Sequence, residues 1–198
     1  MKTLIAALLA SAFLATPASA TVLTSLLHVD NGYEVFVSTS DNTQGTSFGS
    51  GNNWPAGFVN NTTLTAGQDY YLHIFAYDQG GIAGLLGQFS LSSTDHVFAN
   101  GFQTLLTNTT DFKGNNVGFN GSYTAVGDLG ANGSGPWGFQ GDVNGSARWV
   151  WSGDAHNNNA AYFSTKITAA VSNDVPEPAT LALFGLGLVG VAALRRKR

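Results

Sequence analysis

Between Thr21 and Asp174 the apolar residues come in short runs separated by Gly, Asn, Ser and Thr, and the clearest of these runs alternate with a period of two. Tyr33, Val35 and Val37 fall on one face of such a run, directly after the tight-turn sequence Asp30-Asn31-Gly32. Tyr70 to Tyr77 is apolar on both faces, with Leu72 and Ile74 on one and Phe75 and Tyr77 on the other, which predicts a central strand covered on both sides. Shorter strands are predicted at Gln88 to Leu91, His96 to Ala99, Val117 to Phe119, Arg148 to Ser152 and Tyr162 to Thr168. No stretch of this region has helical periodicity between caps. The expected fold is all-β: two antiparallel sheets packed face to face as a β-sandwich.

The two ends follow different rules. Lys2 precedes the apolar stretch Leu4 to Leu14, and Ala18-Ser19-Ala20 offers the small residues that signal peptidase requires. A cut between Ala20 and Thr21 makes residues 1–20 a signal peptide. At the other end, the run Ala179 to Leu194 has Thr180 as its one polar residue. As a helix it would be about 24 Å long, short against a bilayer core of about 30 Å. Arg195, Arg196, Lys197 and Arg198 would hold its end on the cytoplasmic side. Residues 179–194 are therefore read as a weak transmembrane helix with a basic stop, and the inner membrane as a transient partner. The glycine string Gly185-x-Gly187-x-x-Gly190 inside the run lacks the strand, helix and distal acid of a dinucleotide loop.

Just before the run stand Pro176, Glu177 and Pro178, a stiff, extended tripeptide with a single charge. Pro-Glu-Pro, a short apolar helix and an Arg-rich end together resemble the PEP-CTERM sorting signal of Gram-negative, biofilm-forming bacteria. The resemblance covers residues 175–198. It implies processing by exosortase, a membrane-embedded protease, near Pro176 to Pro178, followed by release to the cell surface or the extracellular matrix.

With both signals set aside, residues 21–174 form one domain of roughly 155 residues, long enough for a core of its own. Five of the eight basic residues lie in the signals. The domain keeps Lys113, Arg148 and Lys166 against eleven acids, a net charge of −8, which argues against nucleic acid as a partner. There is no cysteine and hence no disulfide.

Within the domain, "VDNGYEVFVSTSD", "NNWPAGF", "LTAGQDYYLHIFAYDQGGIAGLLGQF" and "ARWVWSGDAHNNNAAYFSTKI" succeed one another in an order that resembles galactose-binding-like jelly-roll modules. That resemblance spans most of residues 28–168 and implies a non-catalytic module, often sugar-binding. It departs from the pattern at Ser38-Thr39-Ser40-Asp41, where an Asn-Gly turn is usual.

The chemistry-bearing motifs are weak. Gly45-x-Ser47-x-Gly49 matches a nucleophile string but is followed by loop residues, so it is read as a glycine loop. His28, His73, His96 and His156 show no metal-ligand spacing, and His73 is read as a packed core histidine. Gly141-Asp142-Val143-Asn144-Gly145-Ser146 is half of a calcium loop without its later ligands, and reads as an Asn-Gly turn. Eleven acids leave calcium open, with no site assignable and no other cofactor implied. Glu34 is the one glutamate before Glu177, and no acid and base pair for glycoside hydrolysis stands out. Trp149 and Trp151 share a strand face and read as core. Trp54 and Trp137 sit in Gly/Pro/Asn-rich loops and are the candidate ligand-binding residues, since an indole can stack on the apolar face of a sugar. The function expected is a non-catalytic surface or matrix protein that binds extracellular polysaccharide. The alternatives are a polysaccharide hydrolase and a structural or adhesive coat protein.

Overall fold

The structure, a computed structural model, describes residues 20–170. In chain order its strands are β1 (Thr21–Asp30), β2 (Gly32–Ser38), β3 (Thr46–Gly51), β4 (Phe58–Leu64), β5 (Tyr70–Tyr77), β6 (Gly84–Leu91) and β7 (His96–Phe98). There follow β8 (Thr104–Leu106), β9 (Lys113–Asn115), β10 (Thr124–Ala125), β11 (Gly127–Ala131), β12 (Arg148–Trp151) and β13 (Ala160–Ala169). They form two antiparallel sheets. The first runs β11-β12-β6-β1-β4 with β8 also on β6; the second runs β10-β9-β13-β5-β2-β3 with β7 also on β13. The fold is the expected two-sheet β-sandwich.

Period-two alternation builds the core. Leu23, Leu27 and Val29 of β1 and Leu85, Phe89 and Leu91 of β6 face Val35 of β2, Leu72, Ile74 and Ala76 of β5, and Ala161, Phe163 and Ile167 of β13 across the gap between the sheets. Each large side chain so buried is worth about 1.5–3 kcal/mol. Trp151 reaches over from the first sheet and meets Phe163 of the second edge-on, with ring centroids 5.8 Å apart. Its partner on the strand behaves differently. Trp149 packs with Trp137, Leu86, Val143 and Ala147 in a smaller cluster, so the two tryptophans are both buried, as expected, but in separate clusters.

Asp30-Asn31-Gly32 is the tight turn expected before the Tyr33 strand, and it forms the corner between the two sheets, since β1 and β2 lie in different ones. Other local expectations are corrected. Residues 46–51 are not a flexible glycine loop but edge strand β3, paired with β2 through a bulge at Val35/Phe36. Val117 to Phe119 is a loop: the Asn115 side chain accepts the N–H groups of Val117 and Gly118 at 2.9 and 3.0 Å and turns the chain out of the ladder. β5 is central, between β13 and β2. Its inner face is sealed, whereas on its outer face Tyr71, Phe75 and Tyr77 are only half-buried.

Ser25 is fully buried and its hydroxyl has no hydrogen-bond partner among the described residues. We expect Trp151→Ala to lower unfolding free energy in urea by about 3–5 kcal/mol. Ser25→Ala, which removes the unpaired hydroxyl, should raise it by on the order of 1 kcal/mol.

Candidate functional site

Both ends of the sandwich meet at one pole. Ala20 is exposed and Thr21, the first residue of β1, is fully buried. The expected signal-peptidase cut therefore falls at the border of the fold; Ala18 lies outside the described residues. Thr21 Oγ1 is 2.7 Å from Ser93 Oγ and 2.9 Å from His96 Nδ1. His96 is buried, and its Nε2 donates to the Gln68 carbonyl at 3.0 Å. On the opposite side, His96 pairs with Ala169 where β7 joins the end of β13. Ala169 N–H donates to Asp69 Oδ1 at 2.9 Å, and Ala170 N–H to the Asp95 carbonyl at 2.8 Å. One histidine thus touches the first strand and pairs with the last.

Trp54 and Trp137 are brought into the same cluster, on the outer face of the first sheet. Trp137 ends a short 3-10 turn, Gly135–Trp137, and is 4% exposed. Its ring stacks on Trp149 at 4.3 Å and 22°, and its Nε1 donates to Asp30 Oδ2 at 2.9 Å. Burial of the Asp30 carboxyl raises its pKa, the Trp137 N–H opposes that, and the charge of Asp78 adds to it. With its ring stacked and its N–H engaged, Trp137 is a packing residue here and offers no open face to a sugar. Trp54 is half-buried. Its carbonyl meets His28 Nδ1 at 2.8 Å, and His28 Nε2 meets Asp142 Oδ1 at 2.8 Å. Asp142 of the half calcium loop is thus held by a histidine, and Asn144 caps the Ser146 N–H at 2.9 Å as an ordinary Asn turn.

The other sequence candidates stay apart. Ser47 is exposed on edge strand β3, His156 is exposed in the loop before β13, and no histidine among the described residues bonds to Ser47. His73 is buried on the outer face of the second sheet, with Nε2 3.3 Å from Asp41 Oδ1 and its ring stacked on Phe119 at 5.0 Å. Among the described residues no group of three or more His, Cys, Asp or Glu is placed to hold a metal ion.

That outer face carries the feature the sequence reading missed. Phe119 and Tyr123, from the loop after β9, cover Phe36 and His73. Phe119 also meets Tyr162 edge-on at 5.0 Å, and Phe75, Tyr77 and Tyr162 are half-buried, with the Phe75 centroid 6.0 Å from Tyr77 and 5.0 Å from Tyr162. Beside them lies a groove of about 460 Å³ lined by Glu34, Ser50, Asn52, Phe58, Phe75 and Tyr77, with Tyr33 beneath. Burial pushes the Tyr33 hydroxyl up to about 12, partly offset by a hydrogen bond from Asn60. The available signal was the outward alternation of Tyr71, His73, Phe75 and Tyr77 along β5.

Residues 174–197 match the family model of the PEP-CTERM protein-sorting motif. The chain carries a PEP-CTERM sorting motif. The PEP-CTERM motif implies an exported protein, an anchoring step at the membrane through the C-terminus, and exosortase as the processing partner. Its Pro176, Glu177 and Pro178, the run 179–194 and Arg195, Arg196, Lys197 and Arg198 lie outside the described residues. Among the described residues no helix is long and apolar enough to cross a membrane. No curated protein and no solved structure matches the chain, so the likeness to galactose-binding-like modules rests on its short sequence pieces alone.

The end of β13, the last described strand, is held at the pole through Asp69. Its carboxylate takes the Lys166 ammonium at 2.9 Å and the Ala169 N–H, and these two bonds, Lys166 first, hold it below its ordinary value of 3.8. A depressed folded-state pKa contributes stability above 3.8 that is lost as pH falls through the folded value. Asp69→Asn should therefore speed hydrogen exchange of the Ala169 amide at pH 7, and the difference from wild type should shrink as the Asp69 carboxylate is protonated below its ordinary value of 3.8. Equal exchange at pH 7 would show that this clasp does not hold the strand end.

Proposed function

We propose that this is a non-catalytic surface or extracellular-matrix protein, cut by exosortase near Pro176 to Pro178, whose β-sandwich binds extracellular polysaccharide. The observation that carries the proposal is the sorting motif following a domain whose two ends share a pole. Ala170 and Ala179, where the apolar run begins, are nine residues apart, a tether that spans at most about 32 Å. A domain on so short a tether sits close to the membrane on one pole while the rest of its surface faces outward. Removal of the tail at Pro176 to Pro178 would leave the sandwich whole.

The non-catalytic reading is supported by the separation of Ser47 from His156, which leaves no histidine bonded to that serine among the described residues. The hydrolase and the coat protein without small ligand remain the competing readings.

Deleting residues 175–198 should abolish the processed form and reduce surface and matrix levels at least ten-fold, measured by fractionation and intact mass. Normal mass and normal surface levels after the deletion would overturn the sorting role. The purified protein should release no reducing ends from the host's exopolysaccharide, with calcium or with chelator; sustained release would make it the hydrolase.

A further inference from the structure

We propose that the groove beside Phe75 and Tyr77 on the outer face of the second sheet is the saccharide site, and that it takes a neutral pyranose unit. The inference rests on the carbohydrate-binding reading above and assigns it a place other than Trp54 and Trp137. A volume of about 460 Å³ is within the range of small-ligand sites. Its wall is amphipathic in the way a sugar is: aromatic rings for the apolar face of a pyranose, and the Glu34 carboxylate, Ser50 hydroxyl and Asn52 amide for its hydroxyls.

The wall is also preformed. A side chain at Gly32 would clash with Tyr77 Oη, and one at Gly51 would come within 2.7 Å of the Phe58 ring. The absence of both lets Tyr77 lean across β2 and Phe58 close on β3, so the rings are in place before a ligand arrives. Charge selects the ligand class. Glu34 makes no ion pair among the described residues, and the domain carries −8, so a uronate or sulfated sugar would meet repulsion at the groove and around it. Position makes the groove reachable. Tyr70, at the start of β5, has its ring 5.9 Å from His96 at the pole of the chain ends. Tyr77 is seven residues further along the strand, about 23 Å away. The groove therefore opens toward the end of the sandwich remote from the tether.

The test is calorimetric titration of the full chain in a zwitterionic detergent, because alkyl glycosides belong to the expected ligand class. The probes are cellohexaose, mannohexaose and a β-linked galactohexaose, with oligogalacturonate as the anionic comparator. At least one neutral oligosaccharide should bind saturably and oligogalacturonate should not. Tyr77→Ala and Phe75→Ala should each weaken binding ten-fold or more and Glu34→Gln three-fold or more. Phe139→Ala, at an exposed ring elsewhere, should leave it unchanged. Far-UV circular dichroism and thermal melts check each variant, and Glu34→Gln, which alters no packing, carries the test if an aromatic variant does not fold. Unchanged binding in folded Tyr77→Ala and Glu34→Gln, with loss in Trp54→Ala, would overturn the groove and keep the carbohydrate reading. Preference for oligogalacturonate would overturn the neutral class. Absence of binding to every probe by the wild type would overturn the carbohydrate reading itself, and the groove assignment with it.

Discussion

The apolar layer closed between the two sheets is what every other feature of the domain leans on, because a chain without cysteine has no covalent brace. Leu23, Leu27, Leu72, Ile74, Leu85 and Phe163 are all excluded from solvent in that layer. Small residues, Ala76, Ala83 and Ala161, sit among them and leave room for the large rings of Trp151, Phe89, Phe98 and Phe112. The Trp151 to Phe163 contact joins the two sheets where the chain is about to enter its last strand. With the interior so filled, the outer faces are free to carry other chemistry.

The same closure fixes where the chain enters and leaves. The start of β1 and the end of β13 lie at the same pole. His96 is the residue on which this depends: it bonds to Thr21 through its ring and pairs with Ala169 through the ladder. The observed arrangement lets the sandwich complete its core with both ends on the same side.

The legible parts of the fold were the central strands. Tyr70 to Tyr77 and Arg148 to Ser152 are read almost to the residue, since both are dense in β-branched or aromatic groups, and Tyr162 to Thr168 is the interior of β13. The illegible parts were edges and corners. β3, β4 and β11 carry Thr, Ser, Asn and Gly, and the ladders of β3 and β11 are interrupted by bulges, features that blunt an edge against further pairing and erase the alternation that announces a strand. β1 escaped notice because Leu26 and His28 on its outer face are also covered, which hides the period of two. Trp137 misled for a related reason: its neighbours Gly135, Pro136 and Gly138 read as open loop, yet they fold back to seat the ring on Trp149, a contact made across twelve residues that no local pattern records.

The tail and the domain answer separate questions. The sorting motif specifies an address with about two dozen residues and imposes nothing on the fold before it, so the role of the sandwich has to be read from where its surface departs from what stability alone requires. The outer face of the second sheet is such a departure. The Phe119 and Tyr123 loop covers Phe36 and His73 and Phe119 meets Tyr162 edge-on, whereas Phe75, Tyr77 and Tyr162 stay half-buried. Half-exposed rings beside an unpaired carboxylate gain less from burial than covered ones would. A contiguous aromatic patch rimmed by polar groups is the form that binding surfaces take on otherwise well-packed domains. That the patch lies at the end of β5 remote from the pole where the described residues begin and end is the step that ties the architecture of the sandwich to the address on its tail.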